Sequence, residues 1–280
     1  MDVRVHDDPA AFDAATRDLY AADPVRHTLA ITVIARNLYD PAIAPVMLTV
    51  HRDGELYGAA FRSPPWPVVV SGLPVDTAPA AVEVLAELDP DAPGVTGPRE
   101  LAEGFARAWA DHTGTPVREV MASRLYELGD LREPTVPGAG RAATEDDVPV
   151  LVGWRNAFQV EALGHARELE RAEEIIRGAL ARGERHHLWA NGDEIVAWAH
   201  AGVPHLGMSR IGPVYTPPAL RGRGYGSAVT AAVSRWARDA GAKHVLLFTD
   251  LANPTSNSIY QKIGYQPLFD TCEVEFTPAP

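Results

Sequence analysis

The stretch Arg221-Gly222-Arg223-Gly224-Tyr225-Gly226-Ser227 sets two guanidinium groups among three glycines, directly ahead of the helical-looking run 228–241. Glycine lets the backbone approach a ligand closely and take left-handed dihedrals. The first N–H groups of a helix have no partner within it and carry partial positive charge. Arginine adds full charge and forked donors. These residue types together suit a phosphate or diphosphate. Two common phosphate loops do not fit. A Walker loop ends in Gly-Lys-Ser or Gly-Lys-Thr, and this stretch has no lysine. A dinucleotide loop, Gly-x-Gly-x-x-Gly, lies hard against a first strand. Here Gly222 and Gly224 fit, but Ser227 takes the last glycine place and Pro217-Pro218-Ala219-Leu220 intervenes before the loop.

The loop needs a strand to deliver it and a helix to receive it. Residues 208–216 read as the strand, and the run after Ser227 as the helix. Residues 243–251 form an apolar, β-rich run of the kind buried on both faces. A short helix over 253–264 and strands over 265–276 complete the chain. Asn253 ahead of Pro254 has the form of a helix cap, a role compatible with ligand binding. Upstream, Thr144 with Asp147 resembles a capping box opening a helix to 163. A second helix is expected over 165–183, then strands over 186–203 that turn at Asn191-Gly192-Asp193.

The first half has a similar order. Helices are expected over 9–22, 24–39, 79–88 and 97–114, the last capped by Gly114. Strands are expected over 46–63, as a hairpin around Asp53-Gly54, and over 66–73 and 116–128. Residues 129–141 are rich in Pro and Gly, lack periodicity and read as a linker. The expected domains are 1–135 and 136–280, two α/β units of related plan.

The sequence of strand, glycine loop and helix resembles the acyl-CoA-binding core of the GNAT superfamily of N-acyltransferases. That family places Arg or Gln, two residues, Gly, one residue, then Gly or Ala, and Arg221, Gly224 and Gly226 match. Residues 248–265 are similar to the family's next strand and helix, with Asn253 and Tyr260 seven positions apart and an Ile-Gly-Tyr ending. The resemblance covers roughly 188–265 well and the rest of 141–280 in outline. It implies a fold of class α/β (α+β), with two tandem GNAT-like domains, each a mixed, mostly antiparallel sheet flanked by helices. It also implies acetyl-CoA as co-substrate, with no metal. Val214, Tyr215 and Thr216 would offer backbone groups to the pantetheine arm, and Arg221, Gly222, Arg223, Gly224, Tyr225, Gly226 and Ser227 would take the diphosphate. Asn253 would also bind the cofactor, and Tyr260 would protonate the departing thiolate. Glu161 is the preferred general base; His165, Asp193, Glu194, His200 and His205 are alternatives.

Adjacent His186 and His187 point to opposite faces of a strand and are not expected to share a metal. The first half has no Arg-x-x-Gly-x-Gly spacing. Gly97-Pro98-Arg99 is taken as the comparable place, in a degenerate domain that has lost CoA binding and walls the acceptor cleft.

The totals narrow the partners. The net charge is −12. Residues 1–140 hold 11 Arg and no Lys against 21 carboxylates, whereas 141–280 hold 14 basic and 16 acidic residues. Such a chain is a poor general binder of nucleic acid or anionic membrane, and its nearly balanced second half leaves room for an anionic ligand. Cys272 alone excludes a disulfide framework within the chain and is read as structural. The acidic N-terminal stretch does not look like a signal peptide and no apolar run approaches about 18 residues, so a cytoplasmic protein is expected; the Arg-rich, Lys-poor, Ala-rich composition looks bacterial, and a monomer or homodimer is expected. The leading expectation is N-acetyl transfer to a small-molecule amine; the alternatives are an acyl-CoA sensor without turnover and a protein N-acetyltransferase.

Overall fold

The computed structural model describes residues 1–40, 42–163 and 169–277. The chain forms two compact units. The first comprises Met1–Leu125, Asp250–Ala252 and Phe269–Pro280; the second comprises Tyr126–Thr249 and Asn253–Leu268.

In the first unit the order is β1 (Asp2–His6), α1 (Pro9–Ala22), α2 (Thr28–Val33), β2 (Val46–Arg52), β3 (Glu55–Arg62), β4 (Val68–Gly72), α3 (Ala78–Leu88), β5 (Gly94–Pro98), α4 (Arg99–Thr113) and β6 (Val117–Leu128), whose last three residues belong to the second unit. Local chemistry sets the ends of these elements. Asp8 caps α1 by accepting from the Ala10 N–H at 2.9 Å. Gly114 ends α4 in the left-handed region at φ 73°. Asp53 (φ 54°) and Gly54 (φ 88°) form the turn of the β2–β3 hairpin.

The second unit runs β7 (Ala139–Ala142), α5 (Val148–Leu163), α6 (Ala172–Ala181), β8 (Arg185–Asn191), β9 (Glu194–Ala201), β10 (Met208–Tyr215), α7 (Tyr225–Asp239), β11 (His244–Asp250), α8 (Pro254–Lys262) and β12 (Tyr265–Phe276). Residues 269–276 of β12 lie in the first unit, where they pair antiparallel with β5.

The two units share a pairing plan. In the first, β1, β2, β3 and β4 follow one another antiparallel, and β4 pairs parallel with β5. In the second, β7, β8, β9 and β10 are antiparallel, and β10 pairs parallel with β11. Within each unit the strand pairing is mixed, mostly antiparallel, and the strands are flanked by helices, as the resemblance implied. In the second unit the strand period of two splits the core. Ala197 and Ala199 of β9 pack with Val229 and Val233 of α7, while Trp198 packs with Leu151 of α5 and Ile176 of α6.

Several elements differ from the sequence expectation. Residues 94–98 form a strand, β5, where a helix was expected to begin at 97. β1 was not foreseen either. The Pro- and Gly-rich segment is no free linker. Gly129 N–H donates to Gly264 O at 3.0 Å, Arg132 N–H to Ile263 O at 2.9 Å, and Ala139–Ala142 pair with β8. A four-residue edge strand is too short to show a period in sequence. The helix expected over 24–39 is α2 followed by a π-helical turn at Ile34–Leu38.

Candidate active site

The site begins where β10 leaves β11. Their parallel pairing runs from Met208 with His244 to Ile211 with Leu247. β10 continues to Tyr215 and β11 to Asp250, with no further pair between them among the described residues. Backbone groups of Val214–Thr216 therefore border a gap in the sheet. On its other side β10 is bulged. Ile211 faces Ala201 and Val214 faces Ala199, so Gly212 and Pro213 together oppose the single residue His200.

The glycine loop follows within a few residues. Gly222 (φ 78°) and Gly224 (φ 83°) are in the left-handed region. A Cβ at Gly224 would meet Val136 Cγ2 at 2.9 Å, whereas one at Gly222 would meet open space. Gly226 lies close to Thr216, whose Oγ1 would be 3.3 Å from an added Cβ. Gly224 is the N-cap of α7 and brings no side chain to the first turn. The leading N–H groups of a 15-residue helix are thus left to backbone, water or ligand. Tyr225 is buried, and its hydroxyl accepts from Asn191 Nδ2 at 3.1 Å, so what it can offer an anion is its backbone N–H. Arg223 is exposed and has no ion-pair partner among the described residues.

Arg221 is held back toward the strand. Its Nε donates to Thr216 O at 2.9 Å, and its Nη2 donates to Glu161 Oε2 at 2.5 Å. Tyr215 Oη donates to the other oxygen of Glu161 at 3.2 Å. The expected base on α5 and the expected diphosphate ligand are thus paired with each other, with Tyr215 completing the cluster. Burial foremost, with the Glu161 carboxylate second, raises the pKa of the Tyr215 hydroxyl.

Asn253 caps α8, with Oδ1 accepting from Ser256 N–H at 3.0 Å. Tyr260 is partly buried and packs into the same cluster as Val214, Leu220 and Tyr225. Its ring meets that of Tyr265 edge-on at 6.1 Å, and burial pushes its hydroxyl up to about 12.

The remaining base candidates separate. Asp193 and Glu194 are exposed at the β8–β9 turn, and His205 is exposed beside a bridge to Met208. His165 lies outside the described residues. His200 is buried with both ring nitrogens engaged, Nε2 with Glu184 Oε2 at 2.7 Å and Nδ1 with Gly212 O at 3.0 Å. Glu184 was not singled out from sequence, because the histidine it holds stands 16 positions away.

The counterpart of the loop in the first unit is not Gly97–Arg99. β5 pairs with β4 as β11 pairs with β10, so the loop's counterpart is the connection from β4 to α3. There Leu73 and Pro74 lead into a 3-10 turn, Val75–Thr77, and on into α3 with no glycine between. Arg99 donates to Glu119 and Glu103, which leaves it no free charge for an anion. Those two carboxylates and Cys272 are the one group of possible metal ligands among the described residues, and Arg99 already bridges its carboxylates.

The model of the Acetyltransferase (GNAT) family matches residues 151–265. A curated relative, the mycothiol acetyltransferase of Arthrobacter sp. (strain FB24), is 34% identical over 71 residues, which is 24% of this chain and 22% of that protein. The chain therefore spans about a fifth of the length of that relative. Among solved structures, a GNAT-family acetyltransferase from Colwellia psychrerythraea superposes with a TM-score of 0.64 at 11% identity, covering 100% of both chains. A tandem GNAT protein from the clavulanic acid biosynthesis pathway superposes at 0.60 with 14% identity, again over 100% of both. At these identities the likeness is one of fold. The glycine loop and the parted strands lie within the residues that the family model matches, and the chain as a whole has the fold of the tandem GNAT protein.

Proposed function

We propose that the second unit transfers the acetyl group of acetyl-CoA to the primary amine of a small molecule. One observation carries this reading: β10 parts from β11 immediately before a loop whose glycines hold positive φ at an uncapped helix N-terminus. The gap suits a pantetheine arm and the loop suits its diphosphate. The name of the curated relative favours acetyl as the acyl group.

The amine nitrogen forms a bond to the acyl carbon, and the carbon–sulfur bond breaks. The amine gives up a proton and the CoA thiolate gains one. A backbone N–H at Val214–Thr216 would bind the oxyanion of the tetrahedral intermediate. Tyr260 would face the leaving sulfur. Its hydroxyl, pushed up to about 12, stays protonated throughout the physiological range. Full proton transfer to a thiolate of ordinary pKa near ~8.5 is uphill, so its first contribution is a hydrogen bond to sulfur as charge develops there. Glu161 would accept the amine proton once the diphosphate competes for Arg221 and releases the carboxylate. In that way donor binding and base activation share one switch.

Calorimetric titration with acetyl-CoA tests the reading. The wild type is expected to bind in the micromolar range, and Gly224→Glu combined with Arg221→Ala to lose binding while remaining folded. Tyr260→Phe should bind acetyl-CoA as the wild type does but turn over about 10–100-fold more slowly in an amine screen. A folded wild type that gives no heat at millimolar acetyl-CoA overturns the assignment. Binding without turnover on any amine would leave an acyl-CoA-binding protein.

A further inference from the structure

The bulge in β10 creates a hydrogen-bonding deficit at one defined place. Gly212 and Pro213 face a single residue of β9, so the regular ladder is interrupted there. Proline has no N–H to give. A carbonyl that loses its ladder donor inside a protein needs another. The residue opposite, His200, supplies one from its side chain: Nδ1 lies 3.0 Å from Gly212 O. A carbonyl oxygen only accepts, so Nδ1 carries the proton. Nε2 lies 2.7 Å from Glu184 Oε2, and that contact needs a proton as well. Glu184 Oε1 accepts from Arg182 Nε at 2.8 Å, which favours the carboxylate and hence an imidazolium. Both side chains of the pair are only 5% exposed. The ring of His186 packs at 4.7 Å against that of His200 and restricts its rotation. With neither nitrogen available to an incoming amine, His200 is not the general base.

We propose that His200, held by Glu184, is a positioning residue that locks the β10 bulge and so aims the backbone N–H at Val214 toward the thioester carbonyl. This rests on the reading that acetyl-CoA lies along β10. The chain of contacts runs Arg182, Glu184, His200, Gly212 and then two residues along the backbone to Val214. Gly212 sits at φ 143°, a backbone that glycine tolerates best, so the local conformation needs an outside support.

The test uses acetyl-CoA carrying ¹³C at the acetyl carbonyl, and requires no acceptor. The isotope-edited infrared carbonyl band of the bound thioester is compared with that of free acetyl-CoA, and Kd is measured by calorimetry. In the wild type the band should move to lower wavenumber on binding. In His200→Leu that displacement should be lost, while Kd changes less than about threefold because the diphosphate loop is intact. His200→Asn, whose Nδ2 stands where Nδ1 was, should restore most of it. If His200→Leu does not fold, Glu184→Gln decides, with a partial loss of the displacement expected at unchanged Kd. A variant that binds with the wild-type band position overturns the positioning role alone, as does a wild type that binds without any displacement. A wild type that does not bind overturns the acetyl-CoA assignment and this proposal with it.

Discussion

Glu161 and Arg221 are each useful to a different partner, and in the unliganded site they satisfy each other. The pair is partly exposed, so its worth is about 0.2–1 kcal/mol and falls with salt. Removing the carboxylate frees the guanidinium for phosphate. Glu161→Gln should therefore bind acetyl-CoA about two- to fivefold more tightly at low salt, with the gain shrinking at high salt. The same variant should lower turnover, because the residue proposed to accept the amine proton is gone. Tighter binding with lower turnover is a combination that simple damage to the site does not produce, and parallel titration and rate measurements read it directly. Unchanged affinity at low salt would mean that diphosphate and Glu161 do not compete for Arg221.

At the scale of elements, β12 has the widest consequence. Cys272, Val274 and Phe276 belong to the first unit's core, although they stand at the far end of the sequence. Phe276 stacks on Trp109 of α4 at 4.4 Å with their planes 12° apart, and both rings are buried. Truncating an aromatic ring in such a core costs about 3–5 kcal/mol. Phe276→Ala should destabilise the first unit by that amount in a urea titration, with Trp109 fluorescence as the reporter. Acetyl-CoA binding by the second unit should persist at denaturant concentrations where the first has unfolded. A loss below about 1 kcal/mol would remove β12 from the account of what holds that core.

Across the whole molecule, stability should fall on the acid side in two steps. Burial pushes His27, in the first unit, and His187, in the second, down to about 4. Both are neutral in the folded chain and gain protons on unfolding below about 6.5, so the unfolded state binds more protons between those values. Their contribution is complete above that window and is lost as the pH falls toward 4. Asp147 follows at lower pH. Paired hydrogen bonds from Arg141 at 2.7 and 2.8 Å hold its carboxyl down to about 2. Its contribution is present above the ordinary value of 3.8 and disappears as the pH falls through 2. The midpoint of thermal unfolding should decline from pH 6.5 downward, and His27→Gln should flatten the first part of that decline. A midpoint independent of pH between 6.5 and 4 would contradict the neutral, buried state of both histidines.

The loop at Arg221–Ser227 and the cap at Asn253 were legible because their physics is local. Positive φ calls for glycine, an uncapped helix start attracts an anion, and Asn before Pro closes a first turn, all within a few consecutive residues. The hairpin at Asp53-Gly54 and the close of α4 at Gly114 belong to the same class. What no stretch of sequence contained was which distant groups would meet. Glu161 finds Arg221 across 60 positions, Phe276 finds Trp109 across the domain order, and Glu184, His200 and Gly212 converge from three strands or strand ends. Nor did Gly94–Pro98 reveal itself as strand β5, because a five-residue buried strand shows no period of its own. Backbone preference acts along the chain and can be read there. Pairing register, the side chain that repairs a bulge and the partner that holds a charge depend on packing between segments, and only the tertiary structure decides them.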